Sequence, residues 1–162
     1  MKRPINRKQL FAYSLGFLAS VAADQLFKLW IVRRIPLDSP ADNIPLLPGV
    51  VHLTYIRNSG AAFSMLEGAR WFFLVLLAVF AALVIRALRT DWIDDPLSRW
   101  MAVLALGGAV GNGIDRALYG YVIDMFETEF IRFAVFNVAD AILCVCAAIF
   151  LLKTLFTETK KK

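Results

Sequence analysis

Four polar residues could do chemistry in stretches of sequence that are otherwise strongly apolar. Asp24, Asn112 and Asp140 each fall inside a different apolar run, and Asp124 lies in the segment that joins the last two runs. Ionisable groups in an apolar environment are costly and are usually functional, and Asp140 is the hardest of these to explain structurally. Two carboxylates that approach in such an environment share a proton, so one can act as base and the other as acid. Asp124 and Asp140 are thus candidates for activating water against an amide bond.

Other catalytic chemistries find little support in the sequence. The only histidine, His52, lies in a loop, which disfavours a serine–histidine hydrolase. Lys28 could be the base of a serine–lysine pair, but Asp24 lies four residues earlier and would be its ion-pair partner. With no His-Glu-x-x-His motif and no Cys-His cluster, a zinc protease is nearly excluded. Cys144 and Cys146 would point about 200° apart on a helix, so they can share neither a disulfide nor a metal. We expect no metal and no cofactor.

The composition is typical of an integral membrane protein. Of the 162 residues, 59% are hydrophobic and 19% are charged, with a mean hydropathy of +0.63. A soluble domain of this size could not cover its surface with so few polar side chains. The net charge of +5 comes from clusters that flank apolar runs, so nucleic-acid binding is not expected. The length predicts one domain over residues 1–162.

Four apolar runs predict transmembrane helices at residues 10–32, 69–89, 99–118 and 133–153. A helix needs about 20 residues to cross the membrane core, and flanking arginines help the shorter runs to do so. The first run begins like a signal peptide, but its apolar pattern continues long enough to span, so we expect it to be retained. The predicted fold class is an all-α membrane protein with four transmembrane helices.

The distribution of Lys and Arg predicts the orientation of these helices. Eleven such residues would lie on the side of the two chain ends, and seven on the other side. The side with more positive charge is normally cytoplasmic. We therefore expect both termini in the cytoplasm, and residues 33–68 and 119–132 outside.

The two outer segments carry different patterns. In residues 33–68, four prolines precede an alternating apolar stretch at residues 51–55, and Asn58-Ser59-Gly60 supplies turn residues. This pattern predicts a small antiparallel β-sheet on the outer surface, with residues 61–66 returning as a second strand. The connector 119–132 is amphipathic and rich in Phe and Ile, which predicts a short interfacial helix or loop.

The polar residues of the spans converge at one depth. At helical rise, Asp24, Asn112 and Asp140 would each lie about 10 Å beneath the outer face of the membrane. The pattern predicts a site that opens to the outer leaflet.

Structural roles remain open for the same residues. Asp24 could serve only as the partner of Lys28, and Asp115-Arg116 could form an ion pair at a helix end. Glycines such as Gly108 could serve close helix packing, and asparagines could join helices by hydrogen bonds.

Two further classes of function remain open on these residues alone. A small carrier or proton-coupled transporter could use Asp24 and Asp140 as relay groups, although carriers usually place their site at the midplane between repeats, and no repeat is visible. A structural membrane subunit could use the polar residues for packing alone. Asparagine substitutions at the aspartates would separate these classes, because packing should tolerate them and a catalytic pair should not.

Several motifs, taken in order, resemble those of the lipoprotein signal peptidases (signal peptidase II), the bacterial membrane aspartyl peptidases. They are Asp24-Gln25, Asn58-Ser59-Gly60-Ala61-Ala62-Phe63-Ser64, the run from Gly107 to Arg116, Val122-Ile123-Asp124 and Phe136-Asn137-Val138-Ala139-Asp140. The resemblance implies that Asp124 and Asp140 are the catalytic pair. It further implies a group of residues around the pair and the substrate: Asp24, Asn58, Gly108, Asn112, Arg116 and Asn137. Ser59, Met125, Ala134 and Ala141 depart from the usual pattern of the family, and changes at Met125 and Ala134 could reshape the rim of the pocket.

The resemblance also implies the reaction. The enzyme would remove the signal peptide from diacylglyceryl-modified prolipoproteins, at the bond before the lipidated lipobox cysteine, in the bacterial inner membrane. Its partners would be these substrates and membrane lipid. Nothing in the sequence demands more than a monomer, so we expect a monomeric protein. Asn112 and Asn137 would orient the carboxylates, Arg116 would hold the outer ends of spans three and four, and the loop with Asn58 would act as a lid.

Overall fold

The computed structural model describes residues 5–60, 65–90 and 92–159. The helices in these ranges are α1 (Arg7–Arg34), α2 (Arg70–Arg89), α3 (Pro96–Tyr119) and α4 (Val138–Thr159). The strands are β1 (Ile44–Leu47), β2 (Val51–Asn58) and β3 (Val122–Thr128), and one turn of 3₁₀ helix, Pro40–Asp42, precedes β1. The basic residues Lys2, Arg3 and Lys160–Lys162, on which the orientation partly rests, lie outside the described residues.

The helix ends follow from local capping chemistry. Asn6 and Gln9 form a reciprocal capping box at the start of α1. Asp95 caps α3 by accepting a hydrogen bond from Ser98 N, and Gly120 ends that helix in the left-handed conformation with φ of 84°. α4 begins at Val138, later than the predicted residue 133, because Asn137 provides its cap.

Three helices of the described chain are long and apolar enough to cross a membrane: α1, α2 and residues 138–156 of α4. The central helix, α3, has 24 residues and packs against the other three, so its polar Arg99 and Asp115 are buried in protein. At about 1.5 Å per residue α3 is long enough to span, and its crossing stays a prediction.

Glycines on α3 allow its neighbours to approach closely. A β-carbon at Gly107 would lie 2.6 Å from Ser20 Cβ and 2.9 Å from Phe17 O of α1. A β-carbon at Gly108 would lie 2.9 Å from Ala139 O of α4. No side chain fits at these distances, so α3 holds α1 and α4 at positions that only glycine permits.

The three strands form one antiparallel sheet in the order β1-β2-β3. Its inner face packs on the end of α1, in a core formed by Ile31, Ile35, Leu53, Tyr55, Ile123 and Met125. The register between β2 and β3 pairs Ile56 with Asp124 and Asn58 with Val122. The sheet thereby brings Asn58 and Asp124 to the same end, above the helices.

One prediction about the outer segments needs correction, and another falls mostly outside the described residues. Within the described residues β2 pairs with β1 and β3, whereas a returning strand was predicted at residues 61–66. Of that predicted strand, residues 61–64 lie outside the described residues, and Met65 and Leu66 lie in a turn. The connector 119–132 forms β3 rather than a helix. The reason is its period of two, since Ile123 and Met125 enter the core while Asp124 points to the other face.

Candidate active site

Asp124 and Asp140 line one cavity of about 470 Å³ at the junction of the sheet with α3 and α4. Asp124 is the third residue of β3, and Asp140 lies in the first turn of α4. The remaining lining residues are Asn58, Asn112, Arg116, Val122, Phe133, Ala134, Val135, Phe136, Ala141 and Cys144. The cavity therefore joins a polar floor to an apolar wall.

Asp124 receives hydrogen bonds from two asparagine amides. Asn58 Nδ2 of β2 donates to its Oδ2 atom at 2.9 Å, and Asn137 Nδ2 donates to its Oδ1 atom at 2.6 Å. The residue is only 2% exposed. Both oxygens of the carboxylate are thus oriented by neutral donors, which leaves its charge uncompensated at short range.

Burial raises the pKa of Asp124 to about 6, because the charged form loses its hydration. The hydrogen bond from Asn58 acts in the opposite direction, and the nearby carboxylate of Asp140 raises the pKa further. A carboxyl group that titrates near neutrality can exchange protons with a substrate at physiological pH. This is the behaviour expected of a general acid or base.

Asn137 connects the two aspartates. Its backbone N–H donates to Asp140 Oδ2 at 3.2 Å, and its Oδ1 accepts from Asp140 N at 2.9 Å. This reciprocal pair caps α4, while the Nδ2 atom of the same side chain reaches Asp124. Asn112 Nδ2 of α3 donates to the other oxygen of Asp140 at 2.7 Å. The two asparagines predicted beside the carboxylates are therefore in place: the side chain of Asn137 donates to Asp124 and that of Asn112 donates to Asp140.

A buried ionic cluster lies beneath the cavity. Lys28 Nζ is 2.8 Å from Asp24 Oδ2 and 2.9 Å from Asp115 Oδ2. The pairing of Asp24 with Lys28 follows the predicted helical spacing. The alternative that paired Asp115 with Arg116 is wrong, because consecutive residues of a helix point in different directions and Asp115 faces α1.

Arg116 holds a different part of the structure from the part predicted. Its Nη2 atom donates to Gly60 O at 2.8 Å, and its guanidinium lies 4.3 Å from the centre of the Phe73 ring. It therefore ties the end of β2 and the start of α2 to α3, rather than joining the outer ends of α3 and α4. Its side chain also lines the cavity.

Some predicted site residues do not reach the cavity, and others were missed. Gly108 packs against α4, and Asp24 lies in the ionic cluster; neither is among the lining residues. Lys28 was predicted to be the ion-pair partner of Asp24 rather than the base of a serine–lysine pair, and no role was predicted for Gln25. Gln25 Nε2 donates to Asp115 Oδ1 at 2.9 Å and to Gly111 O at 3.1 Å. The only feature of the sequence that pointed to Gln25 was its place in the motif Asp24-Gln25.

No group of three or more His, Cys, Asp or Glu residues is arranged to hold a metal ion within the described ranges. His52, the only histidine of the chain, lies between Glu127 and Glu129 with 3.0 Å contacts from its two ring nitrogens. This triad joins β2 to β3 away from the cavity.

Comparison with known proteins gives one consistent family. The family described as signal peptidase (SPase) II matches residues 17–156. The lipoprotein signal peptidase of Streptococcus pyogenes serotype M1 is 43% identical over 152 residues, which cover 94% of this chain and 96% of that protein. The protein of the same name from serotype M5 (strain Manfredo) is 43% identical over 139 residues, 86% of this chain and 88% of that protein.

Solved structures share the whole fold. A bacterial membrane enzyme determined by the in meso method at 2.3 Å resolution aligns with a TM-score of 0.88 and 25% identity, over 100% of this chain and 96% of that chain. A second such enzyme, at 1.9 Å resolution, aligns with a TM-score of 0.80 and 26% identity, over 89% of this chain and 92% of that chain.

Proposed function

This chain belongs to the signal peptidase II family, and from that premise we propose that it removes the signal peptides of prolipoproteins by hydrolysis between Asp124 and Asp140. Membership makes it a membrane peptidase. The observation that carries the proposed chemistry is the single cavity that both carboxylates line, with Asn137 in contact with each. The proposed chemistry uses one carboxyl of this pair in its protonated form and the other in its ionised form.

The proposed reaction uses the two protonation states of the pair. The ionised carboxylate takes a proton from a water molecule as the water oxygen attacks the scissile carbonyl carbon. The protonated carboxyl polarises the carbonyl oxygen and then donates its proton to the leaving nitrogen. The amides of Asn58, Asn112 and Asn137 keep the carboxylate oxygens in place during these transfers.

The apolar wall of the cavity fits a lipid-modified substrate. Phe133, Val135 and Phe136 line one side of the space next to the carboxylates. We propose that the substrate is a prolipoprotein with a diacylglyceryl group on its lipobox cysteine, cleaved at the bond before that cysteine. Lipid anchoring in the outer leaflet brings the bond to the depth of the pair and reduces the entropy cost of encounter. The end of β2, held by Arg116, forms the cradle above it.

The deciding experiment measures cleavage of a diacylglyceryl-modified prolipoprotein by the purified enzyme in detergent, in the absence of other proteins. We expect Asp124→Asn and Asp140→Asn each to reduce kcat by about 10²–10⁴-fold, because each removes one proton-transfer group. Asp94→Asn, at an exposed aspartate outside the cavity, is the matched control and should retain full activity. Cleavage that survives either cavity substitution in a folded protein would refute the catalytic pair.

The proposed chemistry needs no metal, which gives a separate prediction. We expect EDTA and 1,10-phenanthroline to leave kcat unchanged, since carboxylates alone activate the water. Activity would be followed before and after dialysis against each chelator, with re-added Zn²⁺ or Mg²⁺ as the control. Loss of activity that metal restores would contradict the mechanism. The proposed partners are prolipoproteins and membrane lipid, and we propose that the enzyme acts as a monomer.

A further inference from the structure

One ammonium group lies at the centre of the polar network beneath the cavity. Lys28 is 1% exposed, and its Nζ atom has three oxygen partners on two helices. They are Asp24 Oδ2 at 2.8 Å, Asp115 Oδ2 at 2.9 Å and Asn112 Oδ1 at 2.9 Å. An ammonium group has three N–H donors, so its hydrogen-bonding capacity is filled.

The partners of Lys28 in turn hold the backbone beside each proposed catalytic residue. Asp24 Oδ1 accepts a hydrogen bond from Ala139 N at 3.0 Å, and Ala139 immediately precedes Asp140. Asp115 Oδ2 accepts one from Ile123 N at 3.1 Å, and Ile123 immediately precedes Asp124. The third partner, Asn112, donates directly to Asp140 Oδ1. Through these partners, Lys28 of α1 is connected to α4 and to β3, in each case at the residue that immediately precedes the proposed catalytic aspartate.

We propose that Lys28 is a positioning residue that fixes the separation of Asp124 and Asp140 and the orientation of the Asn112 amide. This inference rests on the proposed function, because it assigns a role within the same site. Asp24 and Asp115 carry like charges and would repel each other without the ammonium between them. Lys28 bridges the two carboxylates and so fixes the distance between them. Asp24 in turn holds the first turn of α4 through Ala139 N, and Asp115 holds β3 through Ile123 N.

The orientation of the Asn112 amide follows from the same contact. Its Oδ1 atom accepts hydrogen bonds from Lys28 Nζ and from Asn137 Nδ2, at 2.9 and 3.0 Å. The Nδ2 atom must then face Asp140 and donate to it. Without Lys28, the amide loses its charged donor and can rotate, which would present an oxygen to the Asp140 carboxylate.

Lys28 also sets the charge around Asp124. The charged groups that face Asp124 from the elements packed on it are Lys28 from α1, Asp115 and Arg116 from α3 and Asp140 from α4, while β2 contributes the neutral Asn58. Removal of Lys28 takes away one of the two cations near Asp124 and leaves the carboxylates of Asp115 and Asp140. The charged form of Asp124 then becomes harder to maintain, so its pKa rises.

The test compares Lys28→Met with the wild type on a diacylglyceryl-modified prolipopeptide between pH 5 and pH 8. Lys28 does not line the cavity, so we expect KM to stay within about 3-fold while kcat falls about 10-fold or more. The inflection of the pH profile should move upward by roughly 0.5 unit or more. Lys153→Met, which breaks the ion pair with Asp95 at the other end of α3, is the matched control and should change neither kcat nor the inflection.

A charge-balanced variant separates positioning from buried charge. Lys28→Met with Asp115→Asn restores the net charge of the cluster, and an asparagine there still accepts from Ile123 N. We expect this double variant to have the thermal stability of the wild type and a kcat that remains low. If Lys28→Met alone does not fold, the double variant by itself tests the positioning role. A wild-type kcat in either folded variant, or a change confined to KM, would overturn the positioning role. Failure of the wild type to cleave, or activity in Asp124→Asn, would instead refute the proposed function.

Discussion

At the scale of single residues, neutral amide donors and burial together set the pKa of the Asp124 carboxyl group. Asp124 is buried, and its direct donors are Asn58 and Asn137. Burial raises its pKa, and a hydrogen bond to the charged form lowers it, so the value near 6 is a balance of the two. A guanidinium or ammonium in direct contact would instead keep the group ionised at all physiological pH values.

The balance at Asp124 predicts the effect of Asn58→Ala. Loss of the Nδ2 donor destabilises the charged form, so the pKa of Asp124 rises above about 6. The corresponding inflection of the profile of kcat/KM against pH should move to higher pH by roughly 0.5–1 unit, since each unit corresponds to about 1.4 kcal/mol. Ser59→Ala, at a neighbour that bonds Glu67 instead, should leave the profile in place. A shift to lower pH would contradict the role assigned to the Asn58 amide.

At the scale of elements, α3 is the common scaffold of the site. It carries Asn112 and Arg116 into the cavity and Asp115 into the ionic cluster. β3 follows it directly, and α4 packs against its Gly108. The two proposed catalytic residues are therefore positioned by β3 and α4, which both adjoin α3, so the packing of these elements on α3 affects the geometry of the site.

This packing predicts the effect of a single methyl group at Gly107. The Gly107→Ala variant must separate α1 from α3, because the new carbon would meet Ser20 Cβ and the backbone oxygen of Phe17. Overpacking of this kind costs about 1–3 kcal/mol, or roughly 2–10 °C in Tm for a chain of this size.

The measurement is the Tm of the purified protein in detergent, with cleavage assayed at a temperature where both proteins are folded. Leu118→Ala, on the exposed side of the same helix, is the control and should change Tm by less than about 2 °C. An unchanged Tm in Gly107→Ala would mean that α1 and α3 can move apart without loss of stability, which would contradict this prediction.

At the scale of the whole molecule, the arrangement of the spans decides which side of the membrane the site faces. Three helices of the described chain qualify as spans by length and composition, and α3 lies among them with Arg99 and Asp115 buried. We propose that α3 also crosses, which gives four spans. An even number of crossings would put both chain ends on one side, and the excess of Lys and Arg predicts that this side is cytoplasmic.

Reporter fusions test this arrangement. Green fluorescent protein at the C-terminus should fluoresce, and alkaline phosphatase at the same point should be inactive, because the latter needs the outer compartment to form its disulfides. Alkaline phosphatase fused after Glu129, in the segment between α3 and α4, should be active. Active phosphatase at the C-terminus would mean an odd number of crossings and would exclude α3 as a span.

The sequence alone determined the chemical class and the candidate pair. Apolar runs of sufficient length predicted helices that the structure contains, and the ordered motifs predicted a family that the comparisons confirm. Asp24 and Lys28 were paired correctly because a helix fixes the spacing of residues four apart. These properties depend on local geometry and composition, which a single sequence contains.

Only the tertiary structure decided which distant residues meet. Asp115 pairs with Lys28 rather than with its neighbour Arg116, and Arg116 reaches Gly60 and Phe73. The connector after α3 joins the sheet as β3, so that Asp124 lies beside Asn58. Such contacts depend on how each helix is rotated about its axis and on the register of each strand. Both are set by packing across the whole core, so neither is encoded in the local spacing of residues.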